Sequence, residues 1–108
     1  MQRAAIYCRV AHQSPESGQS EVRVQQTYLE TYARNRGMEI TGVYTDDGFS
    51  GRTLDRPGLQ ALMRDVEAGK ADVLLVTNRS RLFRGVLPEE LRRLPVKIHA
   101  LKERGLER

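Results

Sequence analysis

The sequence predicts an α/β domain of three layers, α/β/α, on a mainly parallel sheet of four to five strands. Short apolar runs suited to buried strands alternate with longer segments of helical period. Breaks rich in Pro, Gly, Ser and Asp separate them. The 108 residues, 39% hydrophobic and 30% charged, suit one domain spanning 1–108 with a modest core, and exclude a disordered chain.

Residues 3–10, Arg-Ala-Ala-Ile-Tyr-Cys-Arg-Val, form the first predicted strand, and the polar stretch 12–19 a loop. From Ser20 to Arg36, Val22, Leu29, Tyr32 and Ala33 share one helical face, with Ser20 as the expected N-cap and Gly37 as the stop. Residues 38–45 form the second strand, and 46–51, Asp-Asp-Gly-Phe-Ser-Gly, a turn-rich loop. Asp55 is the expected cap of the next helix, since Pro57 is tolerated in a first turn. Leu59, Leu62, Met63 and Val66 make its buried stripe and Gly69 ends it. Val73–Val76 is the cleanest buried strand. A short helix near Glu89 to Leu94 follows, bracketed by Pro88 and Pro95, and 96–101 makes a last strand. Alternating strands and helices imply right-handed crossovers, and ligands of such sheets sit beyond the carboxyl ends of the strands.

The formal net charge of +4 suits a polyanionic partner without requiring one. Cys8 is the only cysteine, so no internal disulfide forms. Its place in Ile6-Tyr7-Cys8 marks a buried small hydrophobe, not a reactive thiol. The sequence shows neither a membrane-length apolar stretch nor a signal peptide, which predicts a cytoplasmic protein. His12 reads as an exposed loop residue; with His99 distant and no cysteine pair, no metal site is expected.

The chemistry-bearing feature is arginine. Arg9 leaves the first strand, and Arg79, Arg81 and Arg84 follow the third with no acid between Thr77 and Gly85. The guanidinium stays charged, and its planar fork matches pairs of phosphate oxygens. If the loop enters a helical turn, Arg81 and Arg84 share a face.

Several of these stretches resemble the serine recombinases, the resolvase and invertase family. Tyr7-Cys8-Arg9-Val10-Ala11 is similar to that family's Tyr-x-Arg-Val-Ser opening, and 46–51 to its second-strand exit. Asp55-Arg56-Pro57-Gly58-Leu59 resembles its Asp-Arg-x-Gly-Leu helix start, and residues 78–84 its Lys-Leu-Asp-Arg-Leu-x-Arg. The segment 21–37 resembles the first helix, with Gln25 at a typical glutamine position. The match runs from about residue 3 to about residue 85, and the order of four motifs makes it specific.

The resemblance implies a resolvase-like fold and a phosphoryl transfer that uses neither metal, nucleotide nor other small-molecule cofactor. In that chemistry a serine hydroxyl attacks a DNA phosphodiester, leaving a phosphoserine link and a free 3′ hydroxyl. Cations stabilise the charge of the transition state. By resemblance these are Arg9, Arg56, Arg81 and Arg84, with Arg79 as a further DNA phosphate contact. Two departures stand out. The nucleophile position is Ala11, and the acidic position before Arg81 is Ser80. Ala11 marks either an introduced Ser→Ala change or a natural pseudoenzyme, and Ser80 favours the second. Ser14, Ser17 and Ser20 are substitute nucleophiles in principle, but a loop serine lacks the positioning that the reaction needs.

The leading expectation is a catalytic domain inactive as written, with DNA as partner through its phosphates and with self-association. The rival is a non-catalytic module that pairs with an intact recombinase or binds DNA weakly. A third reading, an α/β domain binding a nucleotide phosphate, lacks any glycine-rich phosphate loop. The tail 86–108 is short and mildly basic, without a helix-turn-helix or zinc-ribbon signal, as in a fragment or a natural remnant.

Overall fold

A computed structural model describes residues 1–12 and 21–102. The order is β1 (Arg3–Val10), α1 (Glu21–Asn35), β2 (Glu39–Asp47), α2 (Pro57–Glu67), β3 (Val73–Val76), α3 (Arg79–Leu82), α4 (Glu89–Arg92) and β4 (Lys97–Ala100). The four strands form one sheet in the order β2-β1-β3-β4. Every pairing is parallel, so all carboxyl ends lie along one edge.

Strand alternation divides the core in two. Ala4, Ile6, Cys8 and Val10 of β1 pack on one face with Val22, Leu29 and Ala33 of α1. Ala5 and Tyr7 pack on the other with Leu59, Leu62 and Val66 of α2, and with Leu82, Leu91 and Leu94. The predicted three-layer arrangement is therefore the observed one. Gly37 and Gly69 end their helices with φ of 70° and 79°.

The structure corrects several boundaries. β2 runs to Asp47, and Asp46, expected in a loop, pairs with Arg9 inside the sheet. The N-cap of α2 is Arg56, not Asp55, and its own side chain makes no capping bond. The last helix stops at Arg92 rather than Leu94, and β4 spans only Lys97–Ala100. Tyr32 is half-buried and Met63 lies at the rim of the core. Ser20 lies outside the described residues.

Cys8 is buried, and burial first, then Glu30, pushes its thiol from 9.0 up to about 12. Burial and the hydrogen bond to Asp65 likewise push Tyr44 from 10.0 up to about 12. Both groups stay protonated in the fold at pH values where the unfolded chain ionises them. Their contribution to stability is complete below pH 9 and is lost as pH rises through 9 to about 12. The thiolate is the reactive form, so native protein at pH 8 is expected to resist iodoacetamide and to take one equivalent in urea. Rapid alkylation of the native protein would show that Cys8 is not enclosed as described.

Candidate functional site

The arginines meet at the carboxyl edge of β1 and β3. Arg9, next to last in β1, lies on the face occupied by Tyr7 and α2, and its side chain reaches across to the segment after β3. There its Nε donates to the Arg81 carbonyl at 2.9 Å and its Nη2 to the Ser80 carbonyl at 2.7 Å. Nη1 donates to the Phe49 carbonyl in the β2–α2 connection at 2.9 Å. One guanidinium thus ties three segments together. Gly51 permits this approach: a Cβ there would stand 2.6 Å from Arg9 Nη2 and 2.7 Å from Arg84 Cγ.

Arg56 is fully buried beside it. It donates to the carbonyls of Thr53 at 2.8 Å and Leu82 at 2.6 Å, and to the Tyr7 hydroxyl at 2.9 Å. That hydroxyl donates in turn to Asp46 at 2.7 Å. The Asp46 carboxylate also accepts the backbone N–H groups of Gly58 at 2.8 Å and Leu59 at 2.9 Å. Asp46 therefore caps α2 from a neighbouring strand, which is why Asp55 is not needed there. Gly58 is required by the same contact, because a Cβ would lie 2.5 Å from the Thr45 carbonyl. A buried cation is tolerated because carbonyl dipoles and the relayed carboxylate replace its water. Burial and the hydrogen bond to Asp46 push the Tyr7 hydroxyl far up, so it remains a proton donor.

Burial, followed by the like charge of Arg56, then of Arg81 and Arg84, lowers the pKa of Arg9. The guanidinium nevertheless stays charged. The cluster is therefore a concentration of positive charge and not a chance surface grouping. Its two outer members differ in setting. Arg81 has a side chain 29% exposed and donates from Nη2 to Glu21 of α1 at 3.1 Å. Its Nε is buried without an acceptor among the described residues. Arg84 is exposed, and its backbone N–H donates to the Gly51 carbonyl at 2.8 Å. Phe83 is extended, with φ −158° and ψ 136°, so the helical turn expected to align Arg81 with Arg84 ends at Leu82. Pairing with Gly51, not helical spacing, sets Arg84.

The remaining candidates are placed as follows. Ala11 is exposed immediately after β1, two residues from Arg9 at the same edge. His12 beside it is also exposed. Ser80 contributes its backbone carbonyl to Arg9. Arg79 opens α3 and lines a separate hollow of about 220 Å³ with Leu82, Phe83 and Leu87. Ser14, Ser17 and Ser20 lie outside the described residues.

Sequence reasoning noted Gln25 only as a typical position; the structure gives it a task. β1 pairs with β3 only as far as Ile6, which leaves the later β1 backbone without a strand on that side. The Gln25 carboxamide takes the missing place, accepting from Arg9 N at 3.2 Å and donating to Arg9 O at 3.1 Å. Tyr7 and Asp46 were not foreseen as site residues; the only signal was two polar side chains within strand-like runs.

Among the described residues, no three His, Cys, Asp or Glu side chains are grouped to hold a metal. No helix among them is long and apolar enough to cross a membrane.

This geometry has counterparts. The N-terminal catalytic domain of TP901-1 integrase is 32% identical, with 94% of this chain and 79% of that chain covered at a TM-score of 0.80. The C-terminal catalytic domain of ISC1926 TnpA, an IS607-like serine recombinase, is also 32% identical, with 92% and 67% covered at a TM-score of 0.78. Uncharacterized immunity region protein 3 of Bacillus phage phi105 is 28% identical over 64 residues, 59% of this chain and 78% of that protein. The family model for the resolvase N-terminal domain matches residues 4–107. With its motifs, its sheet and its neighbours in agreement, this chain belongs to the serine recombinase family as a resolvase N-terminal domain.

Proposed function

We propose that this domain keeps the phosphate-binding half of a serine recombinase site and has lost strand cleavage. The observation that carries the reading is the convergence of Arg9, Arg56, Arg81 and Arg84 at the edge where Ala11 follows β1. In the family reaction a serine oxygen bonds to phosphorus as the bond to the 3′ oxygen breaks, and the 3′ hydroxyl leaves. The methyl group of Ala11 has no lone pair with which to start that step. The cations remain able to hold a DNA phosphate. Arg81 and Arg84 form the accessible side; Arg9 and Arg56 lie beneath, fixing the loops and adding positive potential. Arg79 is a peripheral phosphate contact. The domain works in the cytoplasm, in self-association or paired with an intact recombinase. Ala11 together with Ser80 favours a regulatory, non-catalytic role over an enzyme awaiting activation.

Contacts limited to phosphates make binding weak, indifferent to sequence and steeply dependent on salt. With two to four phosphate contacts, raising salt from 50 to 200 mM is expected to weaken duplex binding roughly tenfold to a hundredfold. Fluorescence anisotropy on two unrelated duplexes at both salt concentrations tests this. Salt-resistant binding, or a preference for one duplex, refutes it.

A further inference from the structure

Arg81 is an outer arginine already engaged by a carboxylate. Glu21, the first residue of α1, accepts from Arg81 Nη2 at 3.1 Å, while its own side chain is 62% exposed. The contact joins residues 60 positions apart and spans α1 and α3. It is also incomplete, because Arg81 Nε is buried and has no acceptor among the described residues. An arginine fork that meets an anion edge-on satisfies Nε and one Nη together; here the contact to Glu21 uses Nη2. The unmet donor leaves the present arrangement less favourable than one with a second oxygen on Nε. The neighbouring cations Arg9, Arg56 and Arg84 raise the potential for any added negative charge.

We infer that Glu21 is an internal competitor for the anion at Arg81: its carboxylate stands where a phosphate oxygen would bind, and a phosphate must displace it. The inference rests on the reading of Arg81 as a phosphate contact and adds a regulatory element to it. The competitor can yield, because the Glu21 carboxylate is itself well solvated and gives up only one ion-pair contact. The phosphate brings more charge and more oxygens than the carboxylate that it replaces. Anything that draws Glu21 away, such as a basic surface of a partner, raises the affinity of the site for DNA.

The test compares Glu21→Gln, Glu67→Gln and Arg81→Ala by anisotropy on one duplex at 50 mM salt. Glu67 is exposed at the far end of α2 and serves as the charge-matched control. The competitor predicts that Glu21→Gln binds about two- to fivefold more tightly while Glu67→Gln changes much less. In parallel, the Arg81 Nε–H resonance is followed as inorganic phosphate is added. It is expected to shift at lower phosphate in Glu21→Gln than in the unaltered chain. Equal gains from both glutamines reduce the effect to net charge and overturn the inference, as does no gain from Glu21→Gln. Those outcomes leave the phosphate reading standing if Arg81→Ala weakens binding. Unchanged binding by Arg81→Ala overturns the phosphate reading at Arg81 and the competitor with it.

Discussion

Replacing Asp46 by alanine is expected to destabilise the domain by about 3–5 kcal/mol, the loss typical of breaking a buried charged network. The carboxylate is 1% exposed and accepts three hydrogen bonds, from Tyr7 Oη, Gly58 N and Leu59 N. Its removal orphans two N–H groups at the start of α2 and strips the relayed counter-charge from Arg56. Asp46→Asn keeps one acceptor oxygen but turns an amide donor toward donors, so a smaller loss of about 1–3 kcal/mol is expected. Urea denaturation reads both as shifts in midpoint at constant slope. A domain of this size has about 5–15 kcal/mol in total, so the alanine variant is expected near the edge of folding at 37 °C. An Asp46→Ala midpoint equivalent to less than about 1 kcal/mol of loss would show that the network is not what holds α2 and Arg56 in place.

The second large effect is chemical. The unaltered chain is expected to form no covalent DNA adduct on a nicked suicide substrate, because nothing at position 11 can attack phosphorus. Ala11→Ser restores a hydroxyl beside the arginine cluster. Ser80 holds Arg9 through its backbone carbonyl, a contact independent of the side chain. Extended with the domains of an intact recombinase, the single variant is expected to give a phosphoserine band that survives denaturant if Ala11 is the only defect, and little or none if Ser80 is a second. Adding Ser80→Asp is expected to increase it roughly ten- to a hundredfold if a carboxylate there orients an arginine or moves a proton. A band from the unaltered chain would refute the loss of cleavage and direct attention to Ser14, Ser17 or Ser20. Silence from the double variant, extended with the domains of an intact recombinase, would favour the non-catalytic module.

Local pattern was enough for much of this molecule. The apolar runs 3–10 and 73–76 became β1 and β3 with the same bounds, because a buried parallel strand needs continuous apolar residues. The stripe Leu59, Leu62 and Val66 became the buried face of α2, because 3.6-residue spacing places those side chains on one side. Arg9, Arg56, Arg81 and Arg84 were readable as one group from the order of their motifs, and Ala11 from its spacing after Arg9.

Only the tertiary structure decided what those arginines touch. Arg9 and Arg56 carry as much charge in the sequence as Arg84, yet the first two are buried against carbonyls and the third is exposed. Asp46 reads as a loop acid beside Asp47, but the sheet register puts it inside, 39 residues from Tyr7 in sequence and 2.7 Å in space. Arg84 left the helical turn because its N–H found the Gly51 carbonyl, 33 positions away by numbering (84 − 51). Periodicity records the relation of a residue to its near neighbours in the chain. Hydrogen bonds such as Arg9 to the Arg81 carbonyl, across 72 positions, exist only after parallel strands have brought their carboxyl ends to a common edge.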